Sequence, residues 1–161
     1  MTRIYAADVV AMEALGAALA DVLKQTSAVV YLRGDLGAGK TTLVRGVARG
    51  MGILGRVRSP TYTLVEGYDL PDGTLYHLDL YRLSGTGELE FLGIRELAAP
   101  GNRVFIEWPE RVAEGALPAA DLILWLGTTG EGRTVTLEPK TDLGRKLTAD
   151  WQSGWSENPD S

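Results

Sequence analysis

Residues 28–42 read Ala28-Val29-Val30-Tyr31-Leu32-Arg33-Gly34-Asp35-Leu36-Gly37-Ala38-Gly39-Lys40-Thr41-Thr42. The first five form a short apolar run with β-branched side chains, the pattern of a buried strand. Gly34 to Thr41 then matches G-x-x-x-x-G-K-S/T in full, the signature of a phosphate-binding loop. After Lys40, the apolar residues Leu43, Val44 and Val47 recur at helical spacing and stop at Gly50 and Gly52. Strand, glycine-rich loop and helix in that order is the layout that phosphate binding demands. Glycines let the backbone take positive φ and approach the oxygens closely. Successive N–H groups and the positive end of the next helix then surround a β-phosphate. Lys40 is placed for the β- and γ-phosphates, the Thr41 hydroxyl for Mg²⁺, and Thr42 for the α-phosphate. The expected ligand is a nucleoside triphosphate, held by Gly34, Asp35, Leu36, Gly37, Ala38, Gly39, Lys40, Thr41 and Thr42.

Upstream of this stretch, Met12, Leu15, Leu19, Val22 and Leu23 recur at three- and four-residue steps, which predicts an amphipathic helix over 7–24. Downstream, Arg58-Ser59-Pro60-Thr61 reads as a loop, because proline biases its predecessor to extended geometry. TYTLVEGYDL and GTLYHLDLYRL flank Pro71-Asp72-Gly73, a turn signal that predicts an antiparallel hairpin. A short helix is expected over 88–97, and Arg103 to Trp108 reads as another buried strand. Asp121 to Leu126 and Arg133 to Leu137 suggest a second hairpin around Gly130-Glu131-Gly132. These elements do not alternate simply. They predict an α/β, P-loop NTPase-like fold: a mixed sheet with a parallel centre and antiparallel hairpin additions, flanked by helices. Residues 1–150 are expected to form a single domain, and the polar 151–161 a frayed tail.

The chain has 161 residues, 45% of them hydrophobic and 23% charged, enough for one domain with a sizeable core. It has no cysteine, which excludes disulfides, thiolate metal sites and thiol nucleophiles. The net charge of −5 argues against a standalone nucleic-acid binder, which would carry a basic face, and against a polybasic membrane anchor. Asp8, Glu13 and Asp21 interrupt the apolar start, so it fails as a signal peptide. No run approaches the ~18 apolar residues of a membrane span. The cytoplasm is the expected location.

A P-loop needs a carboxylate near its metal, usually at the end of an adjacent apolar strand. Glu107 follows Val104-Phe105-Ile106 and fits that position, with Trp108 next to it. Asp79 is the second candidate: in a strand, Leu75, His77, Asp79 and Tyr81 share one face, which is either a site or a solvated outer surface. Residue spacing leaves open which acid serves the metal and which the attacking water. His77 is the only histidine, so a histidine metal cluster is excluded and a hydrogen-bonded structural role is favoured over catalysis. Thr61, within Ser59-Pro60-Thr61, lies where switch loops sense the γ-phosphate or its metal. Arg82, Arg95, Arg111 and Arg133 are the arginines available to stabilise charge, and Arg133, beside a hairpin tip, is the nucleotide-contact candidate among them.

GDLGAGKTTLVRG, SPTYTLVEGY, HLDLYRL and FIEW together, in this order and spacing, resemble the bacterial tRNA threonylcarbamoyladenosine biosynthesis ATPase family, TsaE (YjeE), over roughly residues 5–137. The P-loop is shared by many families; the other three segments are far more specific. Tyr62 stands where that family often has Phe. The resemblance implies ATP as nucleotide, Mg²⁺ at Thr41 and Glu107, and catalytic importance for Asp79, Glu107 and Trp108. It also implies that hydrolysis supports a TsaD–TsaB pair. That pair modifies adenosine beside the anticodon of tRNAs reading A-starting codons, so this chain would meet tRNA only indirectly. A small-molecule kinase would also fit the loop, but no Arg-x-x-Arg lid segment is evident. A GTPase-like switch would need an Asn/Thr-Lys-x-Asp guanine reader, and the nearest string, Pro139-Lys140-Thr141-Asp142, has proline where the amide is required.

Overall fold

The computed structural model describes residues 2–24, 26–83, 93–113 and 115–154. Its elements run β1 (Thr2–Ala6), α1 (Val9–Leu23), β2 (Ala28–Arg33), α2 (Lys40–Gly50), β3 (Val65–Leu70), β4 (Gly73–Asp79), β5 (Arg103–Glu107), β6 (Leu122–Thr129), β7 (Gly132–Pro139) and α3 (Asp142–Gly154). Single 3₁₀ turns lie at Ile94–Ala98 and Pro109–Arg111. The strands form one seven-stranded sheet in the order β1-β7-β6-β2-β5-β4-β3. β6, β2, β5 and β4 are mutually parallel at the centre. β3 adds antiparallel on one edge, and β7 then β1 on the other. The mixed sheet and both hairpins agree with the sequence reading.

The two sheet faces bury different things. Val30, Leu32, Leu75 and Phe105 pack with Met12, Leu15 and Leu19 of α1, Leu43 and Val47 of α2, and Leu147 and Trp151 of α3. On the opposite face Val29, Leu78, Val104 and Ile106 pack with Leu80, Leu83, Ile94 and Leu117, all outside the α-helices. α1 begins where Asp8 accepts from the Ala11 N–H at 2.8 Å, satisfying a donor the helix leaves free. α1 and α2 cross very closely: a Cβ built on Gly46 would lie 2.1 Å from the Glu13 carbonyl oxygen. At the start of β5, buried Arg103 donates to both oxygens of Asp72 at 3.0 Å, and also to the Leu23 and Gly101 carbonyls. This cluster ties the β3–β4 turn to the end of α1.

Several sequence expectations change. β1 was not anticipated; its five residues gain their order by pairing with β7, across most of the chain. The segment expected to fray from residue 151 is helical as far as Gly154, and residues 155–161 lie outside the described part. Trp151 is fully buried in α3, and its indole N–H donates to the Leu15 carbonyl at 3.1 Å. Of the helix expected at 88–97, residues 88–92 lie outside the described part, and Ile94–Ala98 is a 3₁₀ turn. β3 begins at Val65 rather than near Thr61, because residues 60–64 close a turn through Leu64 N–H to Pro60 O at 2.8 Å. β4 stops at Asp79 and β5 at Glu107, both short of the predicted ends. The His77–Asp79 face is not solvated, since His77 is 0% and Asp79 5% exposed.

Candidate nucleotide site

In an open α/β sheet, ligands gather at the carboxyl ends of the parallel strands. Here β2 ends in the glycine-rich loop and α2 starts at Lys40. Gly39 takes φ 103° at the helix start, a left-handed conformation that a side chain would oppose. A Cβ on Gly34 would lie 2.4 Å from the Leu126 carbonyl oxygen, so glycine there lets the loop lie against β6. Lys40 is 4% exposed. Its ammonium donates to the Gly34 carbonyl and lies 3.6 Å from the centroid of the Trp108 ring, a cation–π contact. Burial pushes the Lys40 ammonium below the ordinary lysine range, opposed by the negative charges of Glu107, Glu110, Asp79 and Asp35.

The two acids face this loop from neighbouring strands. Asp79 of β4 and Glu107 of β5 are direct partners in the parallel register. Glu107 is 3% exposed. Its Oε2 accepts from the Thr41 hydroxyl at 3.0 Å and lies 2.5 Å from His77 Nε2. Asp79 Oδ1 accepts from the Tyr81 N–H at 2.9 Å, and its Oδ2 accepts from the Thr61 hydroxyl at 3.2 Å. Thr61 Oγ1 is 2.8 Å from Ser59 Oγ, so the Ser59-Pro60-Thr61 loop is tied to the acid on β4. Trp108 follows Glu107 with φ 59°, which turns the chain out of the strand. Its ring lies 5.0 Å from Tyr81, and the Arg111 guanidinium sits over both rings at 4.7 and 5.6 Å. Lys40, Thr41, Thr61, Asp79, Glu107 and Trp108 line one cleft of about 210 Å³.

Arg133 also reaches the loop, its Nε donating to the Gly37 carbonyl at 3.2 Å. Arg133, Gly37, Gly39 and Thr42 line a second, larger cleft of about 360 Å³ together with Asp8, Val9, Met12 and Glu131. The sequence reading missed Asp8, Val9, Met12 and Glu131 as site residues, since only the sheet brings the start of α1 and the β6–β7 tip beside the loop. It also missed the contact between His77 and Glu107. The usable signal was the alternation that puts His77 and Asp79 on one strand face. The structure brings Asp35 and Leu36 to the exposed crown of the loop. Of the other arginines, Arg82 lies over the Tyr62 ring at 4.4 Å and Arg95 donates to the Gly115 carbonyl.

Among the described residues, no three histidine, aspartate or glutamate side chains group to hold a metal ion. A magnesium site in a P-loop does not need such a group. Mg²⁺ takes hard oxygen donors, one or two from protein and the rest from phosphate and water. The Thr41 hydroxyl and a Glu107 carboxylate oxygen, 3.0 Å apart, are donors of that kind.

A strand, a glycine-rich loop and a helix starting at lysine, faced by carboxylates on adjacent parallel strands, define a P-loop nucleotide-binding protein. Sequence and structure comparisons narrow the class. The family described as threonylcarbamoyl adenosine biosynthesis protein TsaE matches residues 6–136. The Haemophilus influenzae tRNA threonylcarbamoyladenosine biosynthesis protein TsaE is 42% identical over 147 residues, covering 89% of this chain and 92% of its own. The protein of the same name from a Nostoc species is 41% identical over 136 residues, 81% of this chain and 82% of its own. The crystal structure of Bacillus subtilis YdiB superposes with a TM-score of 0.77 at 26% identity over 94% of each chain. The chain belongs to the TsaE family. None of its described helices is long and apolar enough to cross a membrane.

Proposed function

We propose that this chain is a Mg²⁺-dependent ATPase that supports threonylcarbamoylation of adenosine next to the anticodon of tRNAs reading A-starting codons. In this reading it works in the cytoplasm through a TsaD–TsaB complex and does not transfer the group itself. The observation that carries it is the convergence of Lys40, Thr41 and Glu107 at the mouth of the loop. The family's name points to the pathway, and the net charge of −5 suits a chain that leaves tRNA contact to its partners.

Each residue then has a definable task. The loop N–H groups and the start of α2 hold the β-phosphate. Lys40 leaves the Trp108 ring and the Gly34 carbonyl to neutralise the β- and γ-phosphates. Thr41 and Glu107 would hold the metal, which would supply positive charge to offset that of the phosphates. Asp79 fixes Thr61 in the loop that meets the γ-phosphate, and shares with Glu107 the orientation of the attacking water. Trp108 covers the Lys40 side of the cleft. Arg133 and the 360 Å³ cleft beside Gly37 take the nucleoside end.

Competition binding with ATP and GTP, repeated on Lys40→Ala and Glu107→Ala, tests this. ATP preference is expected, with binding impaired in Lys40→Ala and substantially retained in Glu107→Ala while its hydrolysis falls. GTP preference, or unchanged turnover in Glu107→Ala, would refute it.

A further inference from the structure

We infer that His77 is a positioning residue for the metal-binding carboxylate: its Nε2–H fixes one oxygen of Glu107 and so sets the orientation of the other. This rests on the proposed function for what Glu107 does, and on geometry for how His77 acts. The two side chains are 0% and 3% exposed, and they come from adjacent parallel strands, β4 and β5. His77 sits opposite Phe105, two positions before the pair Asp79 and Glu107. Its imidazole therefore shares a sheet face with Glu107, two residues nearer the start of the strands. His77 Nε2 and Glu107 Oε2 are 2.5 Å apart, within hydrogen-bonding reach, and a bond donated to a carboxylate is charge-assisted.

The tautomer follows from elimination. Among the described residues His77 Nδ1 is buried without a hydrogen-bond partner. If Nδ1 carried the proton, an N–H would be buried unpaired, and the Nε2 lone pair would face a carboxylate oxygen. With the proton on Nε2 the bond to Glu107 forms and only an acceptor is left unpaired, the milder outcome. Oε2 then receives two donors, His77 from β4 and Thr41 at 3.0 Å from the helix start. Among the described residues those bonds leave Oε1 as the oxygen without a protein donor. Partners behind a metal ligand orient it and commonly change metal affinity ~10–100-fold when removed. A packing role alone would be served by any apolar side chain, without a nitrogen at this distance from the acid.

The chain's single histidine makes the test direct. Full-length protein labelled with ¹⁵N-histidine shows one imidazole spin system, whose nitrogen shifts report the tautomer. The Nε2–H form is expected, with a clear change in the Nε2 shift in Glu107→Ala. The Nδ1–H form, or a spectrum indifferent to Glu107→Ala, would overturn the bond. Mn²⁺ binding in the presence of ATP, read by electron paramagnetic resonance, tests the consequence. His77→Leu should weaken Mn²⁺ about tenfold or more and leave metal-free ATP affinity within about twofold. His77→Gln, which keeps a donor near the Nε2 position, should recover most of the loss.

Unchanged Mn²⁺ affinity in His77→Leu, or an equal fall in metal-free ATP affinity, would reduce His77 to a packing residue. Wild-type protein that binds neither ATP nor Mn²⁺ would instead remove the proposed function, and this inference with it. The two failures are distinguished by whether the loss occurs in wild type or only in the variant.

Discussion

Replacing Trp151 with alanine removes the largest fully buried side chain among the described residues. A tryptophan buries ~150–250 Å², and at ~25 cal/mol per Å² its transfer contribution is about 4–6 kcal/mol. Alanine keeps a small part of that area, while the cavity left beside Leu15 and Leu147 adds to the loss. Measured Trp→Ala changes in cores fall at about 3–5 kcal/mol. Within that range the bond from the indole N–H to the Leu15 carbonyl, 3.1 Å, accounts for about 1 kcal/mol. We therefore expect Trp151→Ala to lose about 4 kcal/mol. Trp151→Phe keeps most of the ring and should lose about 2 kcal/mol, from the hydrogen bond and a smaller void. Urea unfolding followed by circular dichroism reads both, as a lower midpoint at an unchanged slope. A domain holding ~5–15 kcal/mol in total stays folded in either variant. A loss below about 1 kcal/mol for Trp151→Ala would mean that α3 does not dock on α1. Equal losses for Phe and Ala would refute the role given to ring volume.

Gly46→Ala should destabilise by about 2 kcal/mol or more, because its Cβ would lie 2.1 Å from the Glu13 carbonyl oxygen and α1 must move away from α2. Gly55→Ala meets nothing within 4 Å and serves as the control, expected within about 0.5 kcal/mol of wild type in thermal unfolding. The Arg103 guanidinium, hydrogen-bonded to Asp72, holds that carboxyl below the ordinary aspartate range. The unfolded chain thus binds the proton more readily than the native one. Asp72 therefore stabilises the fold above the unfolded value of ~3.9, and that contribution disappears as pH falls through the lower native value. The stability gap between wild type and Asp72→Ala should be full at neutral pH and close in acid; a gap independent of pH would refute the assignment. In Asp79→Ala, Thr61 loses its carboxylate partner, so turnover should fall more than ATP affinity, and equal losses in both would refute a role in ordering that loop.

The core of the fold was legible where chemistry imposes local order. The apolar run 28–32, the glycine spacing of 34–39 and the helical step after Lys40 each follow from short-range rules, and β2, the loop and α2 appear where those rules put them. Both hairpins were legible from their turn residues. α3 was hidden by composition: the polar text around Trp151 outweighed the step Leu143, Leu147, Trp151, a four-residue repeat that places one apolar stripe against α1. β1 was hidden because an edge strand of five residues is ordered mainly by its partner. The site was legible in its parts. Glu107 was singled out as a strand-end acid and Asp79 as part of a strand face shared with His77, but their direct pairing depends on β4 lying next to β5, a long-range fact. The contact of His77 with Glu107 and the approach of Arg133 to Gly37 depend on the same strand order. Local periodicity carries no record of it.

The measurement that bears most directly on the proposed ATPase is Mg²⁺-dependent ATP turnover by this chain alone and mixed with a TsaB–TsaD pair, with Glu107→Ala in parallel. Slow hydrolysis that rises when the pair is added, and is lost in Glu107→Ala, is the expected result. Fast turnover indifferent to the pair, or phosphate transferred to a small-molecule acceptor without it, would contradict a partner-gated ATPase and point to an independent ATPase or a kinase.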